Sequence, residues 1–258
     1  MNGLLHRLNG SDPLAPGEAA WRSGGCELLR RLWAMLPGVP PVADVWFELL
    51  PCAEGSDEAD QLDRLLEQAA AVTAGGCARI WVSVRPGLAA VNDALRLALA
   101  VALRCEGVRV VAAGLVFEHW IRLAEDAATA DAACGGRMEL AFRAPPQEGP
   151  LESMRGAWAG ARVRVEPGAG AEPATIEVHP RPVRRDGPPL WSLVSDESEA
   201  QLAGELELGA VTELVSVLPA HRTAAGGLPL PAALVVSVES SGEASEPALV
   251  QVERVELR

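Results

Sequence analysis

The side chains best suited to chemistry stand where apolar runs stop. Val45–Leu50 is such a run; Glu48 lies inside it, and Cys52 follows Pro51 at its end. A thiol at the C-terminal edge of a strand is positioned to act as a nucleophile or ligand. No histidine lies near Cys52 in sequence to activate it, which favours an inert cysteine. Arg85-Pro86-Gly87 ends a second run and precedes a helical pattern, so its backbone could meet an anion at a helix N-terminus, although plain loop chemistry explains it as well. Glu118-His119 follows a third run, and Arg143 ends a fourth. Glu48, Cys52, Arg85, Glu118 and Arg143 would therefore line one pocket if the four runs are neighbouring strands. Arg181, Arg184 and Arg185 form a small basic cluster that reads as a solvated loop or as a clamp for a carboxylate-rich peptide.

Several kinds of chemistry are excluded. The 258 residues contain no tyrosine and no lysine, so Schiff-base, P-loop-lysine and tyrosine catalysis are impossible. No GxGxxG follows a strand, and no DxHxxG loop offers a cobalt ligand. The five cysteines are scattered without a CxxC pair, and His179 and His221 have no partner at metal-ligand spacing. No metal and no iron–sulfur, B12, nicotinamide or P-loop cofactor is therefore expected. The formal net charge of −13 argues against nucleic acid and anionic lipid as partners. Met1–Gly10 has no long apolar run, and the apolar stretch near Leu95–Leu103 is interrupted by Arg96. A cytoplasmic protein with reduced thiols and no membrane span is the expectation.

The elements that must position these residues alternate regularly. Residues 1–43 read as a preamble with one helix over Glu18–Leu36, stopped by Pro37, Pro40 and Pro41. Strands are predicted at Val45–Leu50, Ala78–Val84, Val108–Ala113 and Arg137–Arg143. Helices are predicted between them at Glu58–Val72, Leu88–Cys105 and Glu118–Ala133. This order implies an α/β fold: a partial (β/α) barrel or an open parallel sheet with right-handed crossovers. Farther on, strands are predicted at Ala161–Glu166, Thr175–His179, Glu213–Leu218, Leu234–Glu239 and Leu249–Leu257, with a helix at Ser195–Leu208. The domain reading is preamble 1–43, α/β barrel 44–210 and β-rich extension 211–258.

Within Leu140–Trp158, Arg155-Gly156 follows the fourth strand at the spacing of an "SLDG…RG" turn. Together with the order of the preceding strands, this resembles the radical SAM peptide-modifying enzymes over residues 42–210. The C-terminal strands sit where that family places a SPASM domain. The resemblance adds Arg155 to the candidate site residues. It also exposes departures: the family's CxxxCxxC loop is reduced to Cys52, and its Gly-Gly-Glu stretch is Arg85-Pro86-Gly87 here. A non-catalytic, radical-SAM-like subunit that binds a partner enzyme or precursor peptide is thus implied. Two other readings remain: an α/β enzyme with an unrecognised site at the strand ends, and a structural interaction subunit with an apolar patch near Trp158 or Trp191.

Overall fold

A computed structural model describes residues 44–49, 58–84, 94–117, 119–165, 174–212, 215–226, 228, 232–237 and 248–255. Four strands come first: β1 (Asp44–Leu49), β2 (Arg79–Val84), β3 (Arg109–Leu115) and β4 (Met138–Phe142). Helices α1 (Glu58–Ala74), α2 (Ala94–Arg104) and α3 (Trp120–Ala133) connect them. Helix α4 (Glu148–Trp158) then leads to a small antiparallel pair, β5 (Val163–Val165) and β6 (Ala174–Ile176). The chain continues through β7 (Leu190–Leu193), α5 (Glu197–Glu205), β8 (Gly209–Thr212), a 3-10 turn (Val215–Val217), α6 (Leu218–Ala224), β9 (Ala232–Ser237) and β10 (Ala248–Val255).

Eight strands close into a barrel in the order β1, β2, β3, β4, β7, β8, β9, β10. Every neighbouring pair from β1 round to β9 is parallel. Only β10 runs the other way, antiparallel to both β9 and β1. The α/β architecture of parallel barrel strands with helices read from the sequence is what the chain forms, and the two C-terminal strands close the ring. The predicted helix at Glu18–Leu36 lies outside the described residues.

Strand alternation sorts the core into two parts. Val45, Phe47, Ile80, Val82, Val110, Ala112, Leu140 and Phe142 point outward and pack under the helices. Leu65 and Ala69 of α1, Leu97 and Val101 of α2, and Ala124 and Ala127 of α3 cover them. Trp46, Trp81, Val111, Ala113, Ala141, Trp191 and Val211 form a second, separate cluster inside the barrel. Both faces of the sheet carry buried apolar side chains, which is why the strands read as largely hydrophobic runs.

Some elements differ from expectation. Of the predicted strand at Glu213–Leu218, Val215–Val217 instead form the 3-10 turn and Leu218 begins α6, while Glu213 and Leu214 lie outside the described residues; Pro219 sits at the start of that helix, where its missing N–H costs nothing. Helix α4 forms although it contains Gly149, Pro150 and Gly156. Pro150 lies in the first turn, and Leu151, Met154, Ala157 and Trp158 give one buried face. Trp158 Nε1 donates to the Ala124 carbonyl at 3.0 Å and fixes α4 on α3.

Asp131, near the end of α3, is fully buried, and its Oδ2 accepts from Val183 N at 2.9 Å. Its Oδ1 has no hydrogen-bond partner. Burial pushes this carboxyl above the ordinary aspartate value, against the opposing pull of the Val183 N–H. The folded state therefore holds a proton more tightly than the unfolded chain. Stability is fully present below the ordinary aspartate pKa and falls as pH rises through the raised one. Asp131→Asn should remove this dependence and melt higher than the native chain at neutral pH, read as Tm against pH. A lower Tm for the variant at neutral pH would contradict it.

Candidate functional site

Three levels stack inside the barrel, from the N-terminal to the C-terminal ends of the strands. The lowest is charged. Asp44, Arg79 and Glu139 are buried at inward positions of β1, β2 and β4. Arg79 lies between the two acids, with Nη1 2.7 Å from Asp44 Oδ2 and Nε 3.1 Å from Glu139 Oε2. Its Nη2 donates to Glu139 Oε1 at 3.3 Å, and half-exposed Arg109 reaches the same oxygen at 3.4 Å. Burial alone would lower the guanidinium pKa; Glu139 and Asp44 together more than reverse this and raise it. The charge is locked in place.

The middle level is aromatic. Trp81 Nε1 donates to Asp44 Oδ2 at 3.2 Å, and Trp191 Nε1 donates to Glu139 Oε2 at 2.8 Å. Trp46 stacks on Trp81 with centroids 5.4 Å apart, and Trp81 meets Trp191 edge-on at 5.2 Å. Arg79 lies over the Trp191 ring at 5.1 Å. Gly209 on β8 is the small residue that the Trp191 ring requires, since a Cβ there would overlap Cε3 of the indole.

The upper level is built from small residues. Ser83 accepts from Trp46 Nε1 at 2.8 Å, and Ser83 pairs in register with Ala113 of β3, which pairs with Ala141 of β4. After Ala113 the β3–β4 register shifts, leaving Gly114 as the extra residue of a bulge. Gly114 has a φ of +77°, and a Cβ built on it meets nothing within 4 Å. Half-buried Leu193 and exposed Arg143 stand at the ends of β7 and β4, and Arg143 N donates to the Leu115 carbonyl at 2.9 Å.

Of the sequence-predicted site residues, Glu48 is on β1, with its backbone paired to Ser83 and Ala248; its side chain is outside the described ones. It shares the C-terminal rim with Arg143. Cys52, Arg85 and Glu118 lie outside the described residues. Arg155 joins none of them. It is on α4, and its Nη2 donates to the carbonyls of Leu206 and Glu207 at 2.9 and 3.3 Å, tying down the C-terminus of α5. Arg155→Met should therefore lower unfolding free energy by about 1 kcal/mol in a urea titration and leave ligand binding at the barrel mouth intact. A loss of binding at unchanged stability would contradict that placement.

The described thiols are inert. Cys77 donates to the Arg79 carbonyl at 3.0 Å, and burial, with Asp44 adding to it, pushes its pKa up to about 12. Burial raises Cys105 and Cys134 as well. Among the described residues no group of histidine, cysteine and acid side chains is arranged to hold a metal ion, and no helix is long and apolar enough to cross a membrane. Trp158 and Trp191 are buried, so neither forms an exposed patch.

The sequence reading missed the interior residues, yet a signal was present. Asp44-Val45-Trp46 and Arg79-Ile80-Trp81 repeat one pattern, charged then aromatic two residues on, which puts both side chains of each strand on one face.

A closed barrel of seven parallel strands and one antiparallel strand, with outer helices, is of the TIM (β/α) type, in which sites lie at the C-terminal face. The comparisons agree with that class. A family model for luciferase-like monooxygenases matches residues 47–142. The monooxygenase RslO1 of Streptomyces bottropensis superposes with TM-score 0.59 at 19% identity, over 72% of this chain and 67% of its own. The oxygenating constituent of 3,6-diketocamphane monooxygenase from Pseudomonas putida, in complex with FMN, gives 0.58 at 16%, over 74% and 64%. The coenzyme F420-dependent tetrahydromethanopterin reductase of Methanopyrus kandleri gives 0.53 at 16%, over 72% and 61%. No curated protein matches the chain. The chain thus spans about two thirds or less of the length of these structures.

These matches overturn the radical SAM resemblance, and with it the non-catalytic peptide-maturation subunit. The physical reason is local. Alternating strands and helices with right-handed crossovers are common to all (β/α) barrels, and Arg155-Gly156 lies within α4 and forms no turn after a strand. β9 and β10 complete the barrel, where a SPASM domain was expected. The expectation of a protein without a cofactor falls too, against neighbours that are in complex with FMN or depend on coenzyme F420.

Proposed function

We propose that this chain binds an isoalloxazine-type cofactor, FMN or the deazaflavin F420, at the C-terminal mouth of its barrel and works as an oxidoreductase of the luciferase-like monooxygenase type. The observation that carries the reading is the bulge at Gly114. It is half-buried backbone at the end of a barrel strand where a Cβ would meet nothing within 4 Å, next to a floor of Ala113 and Ala141 that is itself buried. Flat heteroaromatic rings need such a surface, and bulges recur beside active sites. The family match over residues 47–142 spans β1 to β4, the strands that make this floor.

The residues present fit that group. Gly114 and the flanking carbonyl of Leu115 would lie against the ring, half-buried Leu193 would bound it, and Arg143 offers a cation at the rim for an anionic tail or substrate. When bound, FMN would supply electron-transfer and dioxygen chemistry, and F420 would supply hydride transfer. The tryptophan level seals the barrel beneath and keeps water out of the mouth from below.

Stopped-flow reoxidation tests the reading. Photoreduced FMN mixed with oxygenated buffer should reoxidise on a different time course when the protein is in excess. FMN traces that superimpose with and without protein, together with F420 absorbance and emission that do not change when protein is added in excess, would refute it.

A further inference from the structure

We propose that the β5–β6 pair and the loop after it form a docking surface for an extended, carboxylate-rich segment of a partner protein. The surface lies at the end of the barrel away from the mouth and is independent of the cofactor reading.

The fold sets this position. Helix α4 leaves the C-terminal end of β4 and carries the chain back, and the loop after β6 leads into the start of β7. Gly136, just before β4, packs on Val183 of that loop; a Cβ there would lie 3.1 Å from Cγ1 of the valine. Among the described residues β5 and β6 pair with each other and with no barrel strand. Their outer edges carry no third strand, the arrangement to which an extended peptide adds.

Register sorts the two faces of the pair. Val163 pairs with Ile176 and packs on the core. Arg164 pairs with Thr175 on the opposite face, and both are exposed. Arg162 and Glu177 flank that outward pair, each two residues further along, and the Arg162 charge acts on Glu177. Arg181 joins them. Its Nη2 donates to Glu177 Oε1 at 2.8 Å, and its guanidinium rests against Gly160, where a Cβ would come within 2.8 Å of Cζ. His179 Nε2 stands 3.5 Å from the same carboxylate oxygen.

The face is short of acids. The Arg181 hydrogen bond, with His179 and Arg162 adding to it, holds the Glu177 carboxyl below its ordinary value. That acid is thus already engaged. Arg162 and Arg164 have neither an ion pair nor a side-chain hydrogen bond among the described residues, whereas Arg122 of α3 finds Asp126 one turn away. Residues 159–165 and 174–189 carry five arginines against two acids, in a chain whose formal net charge is −13. Salt screens charge beyond about 8 Å, so the local excess governs what settles here. The acidic remainder of the surface disfavours nucleic acid and anionic lipid, which would meet it over a wider area.

The loop is anchored from behind. Asp131 Oδ2 accepts from Val183 N at 2.9 Å, and half-buried Arg184 turns inward to the Gly136 carbonyl at 3.5 Å. Of the basic cluster read from the sequence, Arg184 is therefore structural, and Arg162 and Arg164 take its place on the surface. Arg162 and Arg164 are two residues apart, about 7 Å along an extended chain. An extended partner presents alternate side chains at the same repeat, so carboxylates at every second residue meet both guanidiniums. Val183, 58% exposed beside them, offers an apolar contact.

The test is fluorescence anisotropy on the full chain with a labelled peptide of alternating Glu and Thr, and with matched Gln-Thr and Lys-Thr peptides. The native chain should bind the Glu-Thr peptide saturably, lose affinity as salt is raised, and bind neither of the others. Arg162→Gln with Arg164→Gln should weaken binding at least about tenfold at unchanged Tm. Arg122→Gln with Arg222→Gln, an equal change of charge at exposed positions on α3 and α6, should leave it unaltered. A native chain that binds no peptide or all three alike, a first pair of substitutions without effect, or a second pair with the same effect would overturn the docking surface. An oligothymidylate that displaces the peptide at equal concentration of charge would overturn the carboxylate assignment. If the first double variant fails to fold, Arg164→Gln alone decides.

Discussion

Arg79→Met should cost about 3–5 kcal/mol of unfolding free energy, the penalty of leaving buried acids without their partner. Asp44 and Glu139 both rely on this guanidinium inside a barrel closed by tryptophan. Methionine is long and apolar enough to fill the space, so the loss isolates charge from volume. The cation over the Trp191 ring goes as well. The triple variant with Asp44→Asn and Glu139→Gln added should recover much of the loss, because neutral amides no longer need a counter-charge. Urea unfolding of the three proteins measures this. A single-variant loss below about 1 kcal/mol, within the range of a surface ion pair, would show that the acids are not held by Arg79.

The second large effect is on binding. Gly114→Val places a branched side chain in the open space beside the bulge, at a φ of +77° that a β-branched residue adopts only with strain. FMN affinity should fall at least about tenfold, or about 1.4 kcal/mol, while the barrel stays folded, with a stability loss of about 1–3 kcal/mol. Dialysis and thermal melting on the same sample separate the two effects. Unchanged affinity would move the ring away from Gly114.

Much of the fold was legible because parallel strands covered on both faces leave long apolar runs, and Val45–Leu50, Ala78–Val84 and Val108–Ala113 are such runs. The closure of the ring was not. It depends on β10, besides pairing with its sequence neighbour β9, reaching β1 at the other end of the chain (Asp44 with Val252), and nothing local to Ala248–Val255 encodes that. Helix α4 was hidden by Gly149, Pro150 and Gly156, residues that usually break a helix and here occupy its first turn and its last. That concealment produced the wrong resemblance, since Arg155-Gly156 read as a turn.

The site was legible only by its end of the sheet. Glu48 and Arg143 do stand at the C-terminal rim. The features that carry the proposal were missed for a physical reason. A bulge is a property of pairing between β3 and β4, and the Asp44–Arg79–Glu139 cluster is assembled from three strands. Neither has a contiguous sequence signature, although the repeated charged-then-tryptophan alternation of β1 and β2 was in view.

The most direct measurement is equilibrium dialysis of the native chain against FMN and against F420, oxidised and reduced, with the bound cofactor counted per chain. One of the two should bind saturably at one per chain and compete with the other for the same site. If neither binds in either redox state, the barrel mouth is not a flavin site and the account fails.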